Sequence, residues 1–218
     1  MTARLDEAWP QFATALARLE KVELAEEQDS QQLVTYEIVV AAPMAKAFHH
    51  SGEYGEFIAS SNAVLYPVDE LKRVAPFFAG RPIFHKHDGT EVNMRTRLLN
   101  SQTRVGHLAK AWWNEDERAI FGELVVTSDY WREMFSEDAM RWKYGFSMDI
   151  NILSSTAENG LDIVTKITSV FSVDMVDWPT QACGGRFADA PPLTDEQLAE
   201  QVEHLEYMRQ QKMEGIYD

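Results

Sequence analysis

From Tyr144 to Ile150 the chain sets Tyr144, Phe146, Met148 and Ile150 in strict alternation with Gly145, Ser147 and Asp149. Side chains of a β-strand leave on opposite faces in turn, so this period of two predicts a strand whose apolar set faces a core. It also predicts Ser147 on an accessible polar face, beside a residue without a side chain. A serine hydroxyl is a weak nucleophile until a nearby base takes its proton, and the base needs a group to orient it. Two other predicted strands carry candidates for both roles. Residues 81–87 read as extended up to the turn residues Asp88-Gly89, and histidines two apart share a face. His85 and His87 are therefore expected at one site, with Phe84 and Lys86 pointing away. Phe171, Val173 and Met175 alternate with Ser172 and Asp174, which puts Asp174 on a polar face as well.

Composition narrows the function classes. With 20 basic and 35 acidic residues the net charge is −15, which argues against non-specific binding of nucleic acid or an anionic membrane. A length of 218 residues with 45% apolar content suits one packed domain with appendages. The single cysteine, Cys183, excludes an intrachain disulfide and reads as a small buried residue. No apolar run approaches the roughly 20 residues that span a bilayer, and no signal-peptide core opens the chain. The expected location is the cytoplasm.

The pieces follow in a definite order. Leu5, Trp9, Phe12, Leu16, Leu19 and Val22 recur at helical spacing, which predicts an amphipathic arm over residues 1–30. Residues 32–42 read as a first buried strand and 43–63 as mixed, with Ser60-Ser61-Asn62 signalling a loop and with His49 and His50 as surface histidines. Tyr66-Pro67 introduces a short helix over 68–74 with acids in its first turn. Residues 104–113 and 119–127 predict a hairpin about Asn114–Glu117, and Ser128 is expected to cap a helix carrying Tyr130, Trp131, Met134 and Phe135. An irregular piece from Ser154 to Gly160 precedes a long strand over 161–176, which Trp178-Pro179 ends. Ala190-Pro191-Pro192 reads as a linker, and Thr194–Gln197 as a capping box that opens a C-terminal helix. The domain is thus expected over residues 31–188, with linker and helix over 189–218.

Tyr66-Pro67 with its helix comes first, then Gly80-Arg81-Pro82 leading to His87-Asp88-Gly89-Thr90-Glu91. Val105-Gly106-His107-Leu108, Gly145-Phe146-Ser147-Met148 and residues 172–179 follow. In this order and spacing, over about residues 60–187, the motifs resemble the prohead, or capsid maturation, proteases of tailed phages. Those enzymes are similar to the herpesvirus assembly proteases. The resemblance implies an α+β fold, a mostly antiparallel β-barrel with surrounding helices and helical terminal arms. It implies a serine endopeptidase that needs no cofactor or metal and cleaves scaffold and capsid precursor inside the prohead, and commonly itself. Its nucleophile falls on Ser147 and its histidine on His87. The third member falls on Asp174: many relatives carry glutamate-valine-serine where this chain has Ser172-Val173-Asp174, a displacement that keeps the acid on one strand face. His85 is the rival, since the herpesvirus branch uses a histidine there. The implied partners are the major capsid protein and the scaffold protein, and a second copy of the chain in a homodimer. The alternatives are a zinc hydrolase using His85 and His87 with Asp88, Glu91 or His107, and a non-catalytic assembly protein of the same fold. A Ser-Lys dyad through Lys143 or Lys166 is a variant within the peptidase reading.

Overall fold

Strand β1 (Val34–Ala41) is β-branched and apolar at its end and sits between two partners in a sheet that has ten strands among the described residues. The computed structural model describes residues 33–42, 51–52, 55–59, 64–85, 103–156, 161–177, 184–191 and 193–215. The arm predicted over residues 1–30, His49, His50, His87 and Cys183 lie outside the described residues. The strands after β1 are β2 (Ser51–Gly52), β3 (Gly55–Ala59), β4 (Val64–Pro67), β5 (Pro82–His85), β6 (Arg104–Asn114), β7 (Ala119–Val126), β8 (Tyr144–Thr156), β9 (Asp162–Asp177) and β10 (Gly185–Phe187). Helices α1 (Val68–Val74), α2 (Asp129–Phe135), α3 (Asp138–Arg141) and α4 (Asp195–Met213) are interspersed, and a 3-10 turn over Ala75–Phe78 continues α1.

Seven strands close on themselves in the order β9, β5, β6, β7, β1, β10, β8 and back to β9. In this ring β5 runs parallel to β9 and the other neighbours are antiparallel, so the barrel is mixed but mostly antiparallel. The alternation read from the sequence sorts the two faces. Phe146, Met148, Val173 and Met175 join Ile38, Ile83, Leu108 and Val126 in the interior, where α2 contributes Trp131 and Phe135. Closure through β10 needs Gly185. A Cβ there would collide with the Phe146 carbonyl and come within 2.8 Å of the Val40 oxygen. Arg141, which is buried, caps the aromatic end of this core. Its guanidinium lies 5.0 Å from the centre of the Tyr36 ring and 5.6 Å from that of Phe187, and it pairs with Asp138 and Asp189.

Several expectations need correction. Within the mixed stretch 43–63 a strand not foreseen in the sequence forms, as Phe57–Ala59 of β3 pair with Leu65–Pro67. Tyr66-Pro67 ends strand β4, whose Val64 and Leu65 pair in parallel with Asp162 and Ile163 of β9. Proline is tolerated at that strand end, where it is also the N-cap of α1. Strand β8 continues through the polar Ser154-Ser155-Thr156, since each finds a partner on β9. Pairing overrides the turn-like composition there. Strand β5 is described as far as His85, and Lys86 and His87 lie outside the described residues. Ser128 stands at the N-cap of α2 without donating or accepting a capping bond, whereas Thr194 and Gln197 form the expected capping box on α4.

Between its pairings with β4 and β5, the edge of β9 is held at Ile167 by α1. Glu70 Oε1 accepts from Ile167 N–H at 2.5 Å, and Arg73 Nη2 donates to the Ile167 carbonyl at 2.8 Å. Arg73 also grips both oxygens of Glu70, at 2.8 and 2.5 Å. Two side chains thus do at this point what a neighbouring strand does elsewhere. Among the described residues no helix is long and apolar enough to cross a membrane.

Candidate active site

The register of β8 against β9 brings Ser147 directly across from Asp174, and Asp149 directly across from Ser172. These four residues share the barrel's outer face, because the residues between them, Met148 and Val173, point inward. Asp174 and Ser172 are fully buried and Ser147 is 7% exposed. Ser147 is therefore covered, not on the open surface that the alternation suggested. The outer face here also carries Val176 and Phe84, at 2% and 0% exposure, so it is packed over rather than solvated.

Ser172 ties the polar groups together. Its hydroxyl lies 3.0 Å from Asp174 Oδ1 and 3.1 Å from Asp149 Oδ2. Period-two spacing already placed Ser172 on the face of Asp174, and that was the available signal for it. The pairing with Asp149 depends on the β8–β9 register, which spacing within one strand does not reveal.

Strand β5 runs beside β9 with Phe84 level with Asp174 and His85 level with Met175. Phe84 therefore belongs to the outer face, contrary to the expectation that it points away. His85 belongs to the inner face. Its ring lies 4.8 Å from that of Trp131 and 5.8 Å from that of Tyr144, inside the aromatic cluster. The structure thus separates His85 from Ser147 and Asp174 by the thickness of the sheet. Parallel pairing with β9 fixes this orientation, and a two-residue spacing of histidines could not. His87 follows β5 by two residues and lies outside the described residues.

His107 pairs with Pro82 and with Val125 on the outer side of the β5–β6–β7 ladders. Burial, with the Arg104 charge adding to it, pushes its imidazole below the usual histidine range and favours the neutral form. His85 and His107 thus lie on opposite faces, and among the described residues no group of three metal-ligating side chains gathers. Lys166 pairs with Leu153, six residues along β8 from Ser147 and roughly 20 Å away at strand rise. Lys143 is exposed, its ammonium 3.5 Å from Met140 Sδ.

What the described groups can do chemically is hold a hydroxyl and a buried carboxylate on adjacent strands, with a second hydroxyl fixing the carboxylate. No family model matches the chain, and no curated protein matches it. Among solved structures it is similar to a room-temperature crystal structure of the Kaposi's sarcoma-associated herpesvirus protease in complex with an allosteric inhibitor. The TM-score is 0.36 and the identity 14%, over 81% of this chain and 91% of that one.

Proposed function

We propose that the protein is a serine endopeptidase of phage head assembly, in which Ser147 attacks the scissile carbonyl and His87 takes its proton. Asp174 orients the imidazole and stabilises its charged form. The observation that carries this reading is the direct cross-strand pairing of Ser147 with the fully buried Asp174 on one face of the barrel. The ordered motifs from Tyr66 to Pro179 support it. Acyl transfer follows: the Ser147 oxygen bonds to the peptide carbonyl carbon, the amine leaves with the proton from His87, and water releases the acyl group. The substrates are the scaffold and major capsid precursors inside the prohead, with self-cleavage near Ala190–Pro192. The working form is a homodimer. The competing reading, an assembly protein that keeps the barrel without chemistry, takes its support from the low exposure of Ser147.

The deciding experiment is co-expression with the capsid and scaffold proteins of the same source, comparing wild type with Ser147→Ala by intact mass of the assembled particles. Trimming by wild type alone is the expected result. Equal trimming by both removes Ser147 as nucleophile, and trimming by neither favours the assembly protein.

A further inference from the structure

Strand β6 bulges where it passes β5. Pro82 pairs with His107, Ile83 with Gly106 and Phe84 with Arg104, so Val105 is one residue more than β5 can partner. Strict alternation would put Arg104, three residues from His107, on the opposite face. The extra residue turns it back: Arg104 lies level with Phe84 on the outer face, His107 lies level with Pro82 on the same face, and Val105 joins the interior. Gly106 secures the bulge, because a Cβ there would collide with the Val125 carbonyl oxygen. A bulge re-aims a side chain, and this one turns Arg104 to the face of Ser147 and Asp174.

One row then runs across four strands, from Arg104 on β6 through Phe84 on β5 and Asp174 on β9 to Ser147 on β8. At the spacing of neighbouring strands Arg104 stands roughly 10 Å from Asp174 and roughly 14 Å from Ser147 along it. Phe84 and Asp174 are fully buried, and Arg104 is partly exposed at the end of the row. A guanidinium stays charged and offers a planar fork of donors that matches a carboxylate. Arg73, Arg132, Arg141, Arg186 and Arg209 each meet a carboxylate of this chain. Among the described residues Arg104 makes no ion pair, and its buried Nε has no hydrogen-bond partner. A chain of net charge −15 repels acidic peptides at long range, so a bound one must meet a local cation. We infer that Arg104 is a specificity-determining residue that receives a carboxylate side chain of the substrate, an inference that rests on the reading of Ser147 as nucleophile. An extended peptide rises about 3.3 Å per residue, so one lying over the row covers it in about four residues. The selected Asp or Glu therefore falls within that distance of the bond that Ser147 attacks.

The test measures kcat/KM of wild type, Ser147→Ala, Arg104→Gln and Arg104→Lys on peptides spanning the scissile bond found in the particles, with each residue within about four of that bond set in turn to Glu or Gln. Wild type is expected to favour Glu over Gln at one position by roughly tenfold or more, the effect of a charge-assisted hydrogen bond. Arg104→Gln brings that ratio to about one, and Arg104→Lys, which keeps the charge without the fork, leaves it in between. A wild type with no preference for Glu at any of these positions overturns the inference. So does Arg104→Gln with the wild-type ratio, including a fall on Glu and Gln peptides alike, which is what a merely structural role produces. Where Arg104→Gln does not fold, Arg104→Lys decides: a ratio equal to that of wild type overturns the inference. Any of these results beside an inactive Ser147→Ala leaves the nucleophile standing. Activity retained in Ser147→Ala removes the nucleophile and this inference with it.

Discussion

Replacing Glu70 by alanine tests whether side chains can stand in for a strand on the edge of β9. Glu70 is a carboxylate that accepts from the Ile167 N–H and from two nitrogens of Arg73. Arg73 is 43% exposed in its side chain and Glu70 14%, so the ion pair alone is worth about 0.5–1 kcal/mol. The bond from the part-buried Ile167 amide to a charged acceptor adds about 1.5–2 kcal/mol, because alanine leaves that amide with no carboxylate to meet. Glu70→Ala should therefore cost about 2–3 kcal/mol. Glu70→Gln keeps an oxygen for Ile167 but loses the ion pair, and should cost about 1 kcal/mol. The acid range supplies a second signature. The Arg73 hydrogen bond outweighs the upward pull of burial and, with the Ile167 amide and the charges of Arg73 and Lys166, holds the Glu70 carboxyl below its ordinary 4.5. A lowered carboxyl contributes stability that is fully present above the unfolded value and lost as pH falls through the folded one. Urea unfolding followed by tryptophan fluorescence should thus show wild type and Glu70→Ala well separated at pH 7 and converging below about pH 4.5. A Glu70→Ala variant within 0.5 kcal/mol of wild type at pH 7 would refute the reasoning.

Two further outcomes follow from the packing. Gly185→Ala drives a methyl group into the Phe146 carbonyl, one residue before Ser147, and should cost about 1–3 kcal/mol of stability together with activity; an unchanged melting temperature would contradict the close approach. Lys212 ties the end of α4 to Asp162 at the tip of the β8–β9 hairpin, where Thr156 donates to the same carboxylate at 2.7 Å. Burial raises the Asp162 carboxyl, but the bonds from Lys212 and Thr156 and the lysine charge bring it below its ordinary 3.8. Lys212→Met should cost less than about 1 kcal/mol yet speed protease cleavage before α4. Wild type should gain the same susceptibility only as pH falls below about 3.8, and equal cleavage rates at pH 7 would show that the tie does not hold the helix.

The elements legible in the sequence are those where local pattern and tertiary demand agree. Phe146 and Met148, or Val173 and Met175, alternate because one face of each strand meets the barrel interior, so period alone identified strand and face. The Thr194 capping box was equally local. What eluded sequence reasoning depends on partners distant in the chain. Val64–Pro67 becomes a strand because Asp162 and Ile163 offer it an edge, and Ser154–Thr156 stay extended because β9 lies opposite. At the site, the faces of Ser147 and Asp174 were readable, but their direct opposition required the register of two strands. The inward turn of His85 required the parallel pairing of β5 with β9. The burial of Ser147 needed packing over the outer face, which no alternation within β8 encodes.

The closure of the ring also sets the order in which the molecule can assemble. The β6–β7 hairpin joins neighbours in the chain, but Ile83 must wait for Val173, Leu65 for Ile163, and Val39 for Arg186. Until β9 and β10 are made, β1 and β5 each lack a neighbour they hold in the finished ring. Loop closure over such separations costs entropy before any contact repays it, so refolding should run in milliseconds to seconds, as for other domains dominated by non-local pairing. An incomplete chain would hold β1 and β5 as open apolar edges, the kind of surface on which growing chains pair with one another.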